Sequence, residues 1–333
     1  MGVKISGLVD KRDLKLEELK GKKLAVDASN VMFQFISSIR QRDGTPLMDN
    51  EGNVTSHLVG MFSRVPNLML KGITPVFVFD GKAPELKHKT QSMRRQRKEK
   101  AEEKYMEAAF AEDEEDMGKY SRQFGRVNKE MFEECKELLQ ALGLPVVQAP
   151  SEAEAQCAYM ARKRKVWAAA SQDYDTLLFG APRLVLNLTL SQKRKIVGGR
   201  HVLIAPYFID LKETLNKLEL NQDELIVLGI LAGTDYNPGG VKGIGPKKAL
   251  KLVQSGKEFE TIFEELETNF DWKEIFDTFK EIPVDDVKLK SAELDEQRVK
   301  ELLVEKHDFS MERVESTLKK LKGDGNKTLK QWF

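Results

Sequence analysis

The sequence predicts an α/β fold, a central and mostly parallel sheet with helices on both faces. Three observations lead there. Residues 23–26, 74–79 and 166–172 are short, largely apolar runs, the pattern of strands buried on both sides of a sheet. Stretches of helical period separate them, as at residues 56–70 and 129–142. Each run also leads to an acid, namely Asp27, Asp80 and Asp173, and parallel sheets bind ligands beyond the carboxyl ends of their strands.

In chain order, the first run is Lys23-Leu24-Ala25-Val26, ending at Asp27. A helical stretch over 56–70 leads into the second, which ends at Asp80. Residues 82–104 then hold nine basic residues against four acidic ones, and five consecutive acids follow at 112–116. Lys87 and Arg94 are seven apart, so a helix would set them on one face with Lys98 nearby. Ser151-Glu152-Ala153-Glu154 reads as a capping box with Ser151 as N-cap. Positions i and i+2 of a regular helix do not face each other, so Glu152 and Glu154 can share a site only if Glu152 lies at an irregular helix start. The third run leads to Asp173-Tyr174-Asp175, whose carboxylates would lie on one side of an extended segment. From about residue 207 the pattern is mainly helical. Asn221-Gln222-Asp223-Glu224 is a second capping box, opening a helix that stops near Gly233. Val314, Leu318 and Leu321 give a last helix one buried stripe, which Gly323-Asp324-Gly325 is expected to break.

Composition bounds the function. The 333 residues correspond to roughly one to three domains at about 150 residues each. Lys plus Arg number 54 and Asp plus Glu 53, a net charge of +1, which argues against a simple basic nucleic-acid binder and against an acidic disordered chain. Cys135 and Cys157 cannot build a disulfide framework, and no Cys/His cluster has zinc spacing. No apolar run reaches the ~18 residues of a membrane span, and the first residues lack a signal-peptide core, so a secreted or membrane protein is not expected.

The acids carry chemistry. Asp27, Asp80, Glu152, Glu154, Asp173 and Asp175, with Asp235 of Gly233-Thr234-Asp235-Tyr236, form a set of seven candidates. Converging without cations they would repel one another. Two hard divalent ions about 4 Å apart resolve that repulsion and can serve phosphodiester hydrolysis. A set without Cys or His points to Mg²⁺ or Mn²⁺ rather than zinc. A second motif, Gly239-Gly240-Val241-Lys242-Gly243-Ile244-Gly245-Pro246-Lys247-Lys248, has the form of a helix-hairpin-helix turn that grips a DNA backbone. Pro246 suits a first helical position, and such a helix start can receive phosphate.

These residues resemble the XPG-like structure-specific 5′ nucleases, the flap endonucleases, and the archaeal form in particular. The stretches that carry the likeness are Val26-Asp27-Ala28-Ser29, Phe77-Val78-Phe79-Asp80-Gly81-Lys82, Ala149-Pro150-Ser151-Glu152-Ala153-Glu154, Ser171-Gln172-Asp173-Tyr174-Asp175 and Gly233-Thr234-Asp235-Tyr236. The resemblance implies a nuclease that removes 5′ flaps at DNA junctions by a two-metal mechanism, with 5′-3′ exonuclease activity, in Okazaki-fragment processing and long-patch base excision repair. It implies two Mg²⁺ ions on the seven carboxylates, with Asp80 and Glu154 nearer one, Asp173 and Asp175 nearer the other, and Asp27, Glu152 and Asp235 acting through water. Lys87 and Arg94 become the basic pair at the base of a helical arch over residues 82–130, engaging the scissile phosphate. Phe33 falls where relatives often carry a Tyr that stacks on a base, and Gly2 becomes a processed N-terminus packed near the active site.

The same resemblance implies that Gly240, Val241, Gly243, Ile244, Gly245, Lys247 and Lys248 contact the unnicked strand, with K⁺ held by carbonyl oxygens of Gly240, Val241 and Ile244. Lys193-Arg194-Lys195 reads equally as a duplex contact and as a solvated patch. Asn326, Leu329, Trp332 and Phe333 match the peptide that docks on sliding clamps of the PCNA type. The implied organisation is a nuclease core over 1–255, with the hairpin at 222–255, a mainly helical segment over 256–322 and a flexible clamp-binding tail over 323–333. The implied setting is a monomer acting on branched DNA in an archaeal cytoplasm, at the nucleoid. A relative acting on Holliday junctions or repair bubbles, and a non-catalytic DNA-junction-binding module, are the competing readings.

Overall fold

Strand β1 (Arg12–Asp13) is a two-residue edge, and β2 (Lys23–Asp27) is the first central strand. The computed structural model describes residues 2–41, 43–110, 120, 127–189, 193–195, 201–203 and 205–328. Helices α1 (Ala28–Ser38) and α2 (Ser56–Leu70) follow, then β3 (Thr74–Phe79) and α3 (His88–Phe110), which is preceded by a tight turn at Glu85–Lys87. Next come α4 (Lys129–Ala141), β4 (Val146–Gln148), α5 (Ala153–Arg162), β5 (Ala168–Ala170), α6 (Asp175–Leu178) and β6 (Arg183–Leu186). Strands β7 (Lys193–Lys195) and β8 (His201–Leu203) pair as a separate ribbon, and β9 (Tyr207–Asp210) returns to the main sheet. The rest is helical: α7 (Leu211–Leu218), α8 (Gln222–Ala232), α9 (Pro246–Val253), α10 (Phe259–Glu265), α11 (Trp272–Glu281), α12 (Glu296–Lys300) and α13 (Met311–Thr328).

The main sheet has seven strands in the order β1-β9-β6-β5-β2-β3-β4. From β6 to β4 every neighbour pair is parallel, while β9 runs antiparallel to both β6 and β1. The expectation of a mostly parallel sheet therefore holds, and residues 207–210 depart from the helical pattern read for that region. Tyr207, Phe208 and Asp210 are only partly buried, as befits a strand near an edge, while Ile209 is buried in the core. The strand over 166–172 shrinks to three alanines, because the chain must turn early to present Asp173 and Asp175.

Register decides where the acids fall. Asp27 aligns with Val78, so Asp80 emerges just beyond it on the neighbouring strand. Val26 aligns with Ala170, which sets Asp173 just beyond on the other side. The parallel strands thus end together and deliver their acids to one edge.

Each face of the sheet carries its own core. One packs Val76, Val78 and Ala169 against helices α5 and α8 to α11, through Leu228, Phe263 and Phe279 among others. The other packs Phe77, Phe79 and Ala168 against α1, α2, α4, α12 and α13, through Met61, Leu138 and Leu318. Residues 256–322 thus contribute to both cores. The expected break at Gly323 does not occur: α13 runs on to Thr328, so Asn326 lies in a helix, while Leu329, Trp332 and Phe333 fall outside the described residues. Gly costs a helix only ~1 kcal/mol relative to Ala, and the buried stripe of Val314, Leu318 and Leu321 anchors the helix ahead of it.

Candidate active site

Asp27 ends β2 and caps α1, accepting a hydrogen bond from the Asn30 amide at 3.0 Å. It is buried, and burial followed by the charges of Asp80 and Asp173 pushes its carboxyl up to about 8. Asp80, past β3 and exposed, accepts from the Ala153 amide at 2.8 Å. That contact corrects the capping box read for Ser151. Helix α5 begins one residue later than that motif places it, Glu152 is its N-cap residue, and the Ser151 hydroxyl donates to the Lys82 carbonyl at 3.0 Å instead. Asp80, from the next strand, does the capping that a local motif would have done.

Glu152 therefore lies at the irregular helix start that sharing a site with Glu154 requires. Glu154, one residue inside α5, accepts from the Ser171 hydroxyl at 3.3 Å. Burial, then the charges of Asp173, Asp175 and Asp27, hold its carboxyl well above the ordinary range. The Asp173–Asp175 segment is not extended: the chain turns at Tyr174, just after Asp173, and Asp175 opens α6. Both carboxylates nonetheless meet the first residues of the chain. The Gly2 amide donates to Asp173 at 2.9 Å and the Val3 amide to Asp175 at 2.6 Å. A side chain at position 2 would place its Cβ 2.8 Å from the Asp175 carboxyl carbon, which only glycine avoids. Burial, opposed by the Val3 bond and reinforced by Asp173, pushes Asp175 to about 7.

Two cations enter from the other side. Lys87, in the turn before α3, lies 2.6 Å from Glu152 and 3.7 Å from Asp235. Burial would lower its ammonium, but the charges of Glu152, Glu154 and Asp235 outweigh that and hold it above its ordinary value. Arg94, two turns on, reaches Asp235 at 2.5 Å. Phe33, 42% exposed, sits at the lip of the same cavity of about 560 Å³, with the Lys98 ammonium 4.9 Å from its ring centre.

Two participants carried no role in the sequence reading. The Tyr236 hydroxyl donates to the second Glu152 oxygen at 2.8 Å, and the buried Thr90 hydroxyl donates to the Asp235 carbonyl. Thr90 had a legible signal, lying three residues after Lys87 and four before Arg94 on the same face. Tyr236 adjoins Asp235 in a recognised motif, but its partner is 84 residues away.

The remaining residues of interest lie elsewhere. Between α8 and α9, Gly240 adopts φ +59, and a Cβ there would lie 2.4 Å from the Leu231 carbonyl oxygen and 2.5 Å from the Gly233 amide, a place without room for a side chain. Gly243 also has positive φ, Gly245 is the N-cap residue of α9, and Lys247 and Lys248 are exposed beside it. Val241 is buried, and its carbonyl accepts from the Ile244 amide at 3.0 Å. Lys193, Arg194 and Lys195 form β7, away from the carboxylates in sequence and in sheet.

The donor set suits hard divalent cations. It is all oxygen, and Asp27, Glu154 and Asp175 share an excess of negative charge that such ions relieve. Among the described residues no three carboxylate, imidazole or thiol groups already stand as a ready ion cage, and Glu152 and Asp235 are engaged by Lys87 and Arg94.

The model of the XPG N-terminal domain matches residues 1–101, and that of the XPG I-region matches residues 143–235, the two stretches that supply every carboxylate. Flap endonuclease 1 of Pyrococcus abyssi is 50% identical over 339 aligned positions, covering 100% of this chain and 98% of its own length. The chain belongs to the XPG nuclease family. Its activity is that of the flap endonuclease 1 group, structure-specific 5′ endonuclease cleavage that hydrolyses DNA phosphodiesters. The solved flap endonuclease-1 of Methanococcus jannaschii superposes with a TM-score of 0.79 at 43% identity, covering 98% of this chain and 100% of that one. The catalytic core of Rad2 in complex with DNA substrate superposes at 0.67 with 25% identity, covering 94% and 96%. Nucleases of the family bind DNA and depend on metal. No described helix is long and apolar enough to cross a membrane.

Proposed function

We propose that this nuclease removes 5′ flaps and trims 5′ ends in Okazaki-fragment processing and long-patch base excision repair, using two divalent cations. The observation that carries the reading is that Glu152 and Asp235, gathered at the edge where the strand-end acids emerge, meet Lys87 and Arg94. Asp27, Asp80, Glu152, Glu154, Asp173, Asp175 and Asp235 would hold two Mg²⁺, for which Mn²⁺ can substitute. Asp80 and Glu154 would serve one ion, and Asp173 and Asp175 the other. When bound, the pair supplies charge neutralisation and water activation for hydrolysis.

The chain's own residues do the rest. Lys87 and Arg94 exchange their carboxylate partners for the scissile phosphate, where their charge offsets what develops on the phosphoryl oxygens. Tyr236 keeps Glu152 oriented through that exchange. Phe33 offers a ring face to a base, and Lys98 a charge to the neighbouring phosphate. The arch begun by α3 clamps the threaded strand.

Away from the chemistry, the loop from Gly240 to Lys248 grips the unnicked strand through main-chain amides and Lys247 and Lys248, with K⁺ on carbonyls of Gly240, Val241 and Ile244. Asn326, Leu329, Trp332 and Phe333 dock a sliding clamp of the PCNA type. The protein acts as a monomer at the nucleoid of an archaeal cytoplasm. Labelled 5′-flap, 3′-flap and four-way-junction DNAs, with and without Mg²⁺, test the reading. The expected result is Mg²⁺-dependent incision of the 5′ flap alone, and equal incision of the four-way junction would overturn it.

A further inference from the structure

The parallel strands carry a second cavity at their amino ends, opposite the carboxylates. It measures about 740 Å³ and is bordered by residues that lead into β2, β3 and β5, including Lys22, Ile73 and Trp167. That volume lies in the ~300–1,000 Å³ range of ligand-binding clefts. Its floor is apolar, with Leu70, Leu144 and Leu294. Its charged lining is of one sign: Lys22, Lys23, Arg164, Lys165 and Arg183, with no acid. In a chain with 54 basic and 53 acidic residues, that is segregation. Lys165 is paired with Asp286, but Lys22 and Arg183 lie over the Trp167 ring at 5.7 and 5.4 Å, and Lys23 and Arg164 are exposed.

One wall is a strap without regular structure between α11 and α12. It is pinned at both ends. Gln156 bonds Asp285 in both directions at 2.8 Å and Lys165 donates to the Val287 carbonyl at 2.6 Å. Further along, the Ala292 amide donates to Gly143 at 3.1 Å and the Asp295 amide to Ala141 at 2.8 Å. Between the pins, residues 288–291 make no main-chain hydrogen bond among the described residues, and Leu289 and Ser291 border the cavity.

We propose that this cleft docks an extended acidic segment of a partner protein. Its apolar anchor fills the floor, its carboxylates meet Lys22, Lys23, Arg164 and Arg183, and its main chain pairs with the open edge at 288–291. A phosphate backbone would match the charge but leave the apolar floor and the amide edge unused, so a peptide is the better fit. Because the cleft faces away from the carboxylates, docking there leaves DNA cleavage free to proceed.

The probe is a short fluorescein-labelled peptide of alternating Asp and Glu around a central Phe-Leu pair, titrated with the full chain and followed by anisotropy. Saturable binding is expected, weakened at least about tenfold by Lys23→Glu/Arg164→Glu and by Ser291→Trp, which fills the cavity from the strap. Flap cleavage without peptide should stay unchanged in both variants. If the double variant does not fold, the Trp variant decides alone. The proposal is overturned by absence of saturation up to about 1 mM or by equal binding of peptides carrying Lys for the acids or Ser for Phe-Leu. Undiminished binding by the folded variants, or displacement of the peptide by a single-stranded oligonucleotide, also overturns it.

Discussion

Arg94 and Asp235 stand 2.5 Å apart although 141 residues separate them in the chain, so the helix that rises from the sheet edge is tied directly to the last of the carboxylates. With Thr90 on the Asp235 carbonyl and Lys87 on Glu152, three side chains on one face of this segment seat α3 on the carboxylate edge. Arg94→Ala should therefore lower the single-turnover cleavage rate by more than it lowers affinity for flap DNA. Rapid-quench kinetics beside a binding titration separate the two, and an unchanged rate would reject the phosphate role of Arg94.

Asp175→Ala removes a carboxylate without touching the hairpin loop. DNA binding should stay within about tenfold, roughly 1.4 kcal/mol, while Mg²⁺-dependent cleavage nearly disappears. Full residual cleavage in that variant would sink the metal-site assignment.

Tyr236→Phe keeps the ring against Phe279, whose centre lies 5.0 Å away, and deletes only the hydroxyl donor to Glu152. Hydrogen bonds to charged groups contribute roughly 1.5–3 kcal/mol, so urea unfolding should show a loss of that order. The cleavage rate should also fall, since Glu152 then keeps only Lys87. A variant with wild-type stability and rate would show that this hydroxyl is dispensable.

Gly2→Ala should impair cleavage and raise the Mg²⁺ concentration needed for half-maximal rate, because the added methyl group collides with the Asp175 carboxyl. The fold, read by circular dichroism, should persist. A wild-type Mg²⁺ titration would count against the contact.

Acid stability has a separate source. Glu134, buried in α4, feels a burial penalty that hydrogen bonds from His57 and Lys306 and the charge of His307 outweigh, lowering its carboxyl from 4.5 to about 2. A carboxyl depressed in the folded state contributes fully above its unfolded value and loses that contribution as pH falls through its folded one. Urea midpoints should therefore drop as pH falls from about 4.5 toward about 2. Glu134→Gln should be less stable at neutral pH and show a shallower acid limb. An unaltered acid limb would assign the loss to other groups.

The sheet and the acid at each strand end were legible because both are local: an apolar run, then a carboxylate at Asp27, Asp80 or Asp173. The errors arose where a distant partner overrode a local motif. Ser151 has the spacing of a capping residue, yet Asp80 takes the Ala153 amide and the serine turns to Lys82. Gly323 and Gly325 look like a stop, yet a helix anchored by its buried stripe runs through them. The role of Tyr236 is not legible because its partner lies 84 residues away; the face that Thr90 shares with Lys87 and Arg94 is legible, but its partner, 145 residues away, is not.

Those separations bear on how the molecule is made. Gly2 is held by Asp173, 171 residues downstream, and Arg94 waits for Asp235. On a ribosome that emits about 5–20 residues per second, the first segments wait many seconds before the last carboxylate emerges. A translation product cut short before residue 235 carries Lys87 and Arg94 but lacks the Asp235 carboxylate that both approach. The edge is therefore completed late, by contacts of high sequence separation, the kind that forms slowly because loop closure precedes its reward.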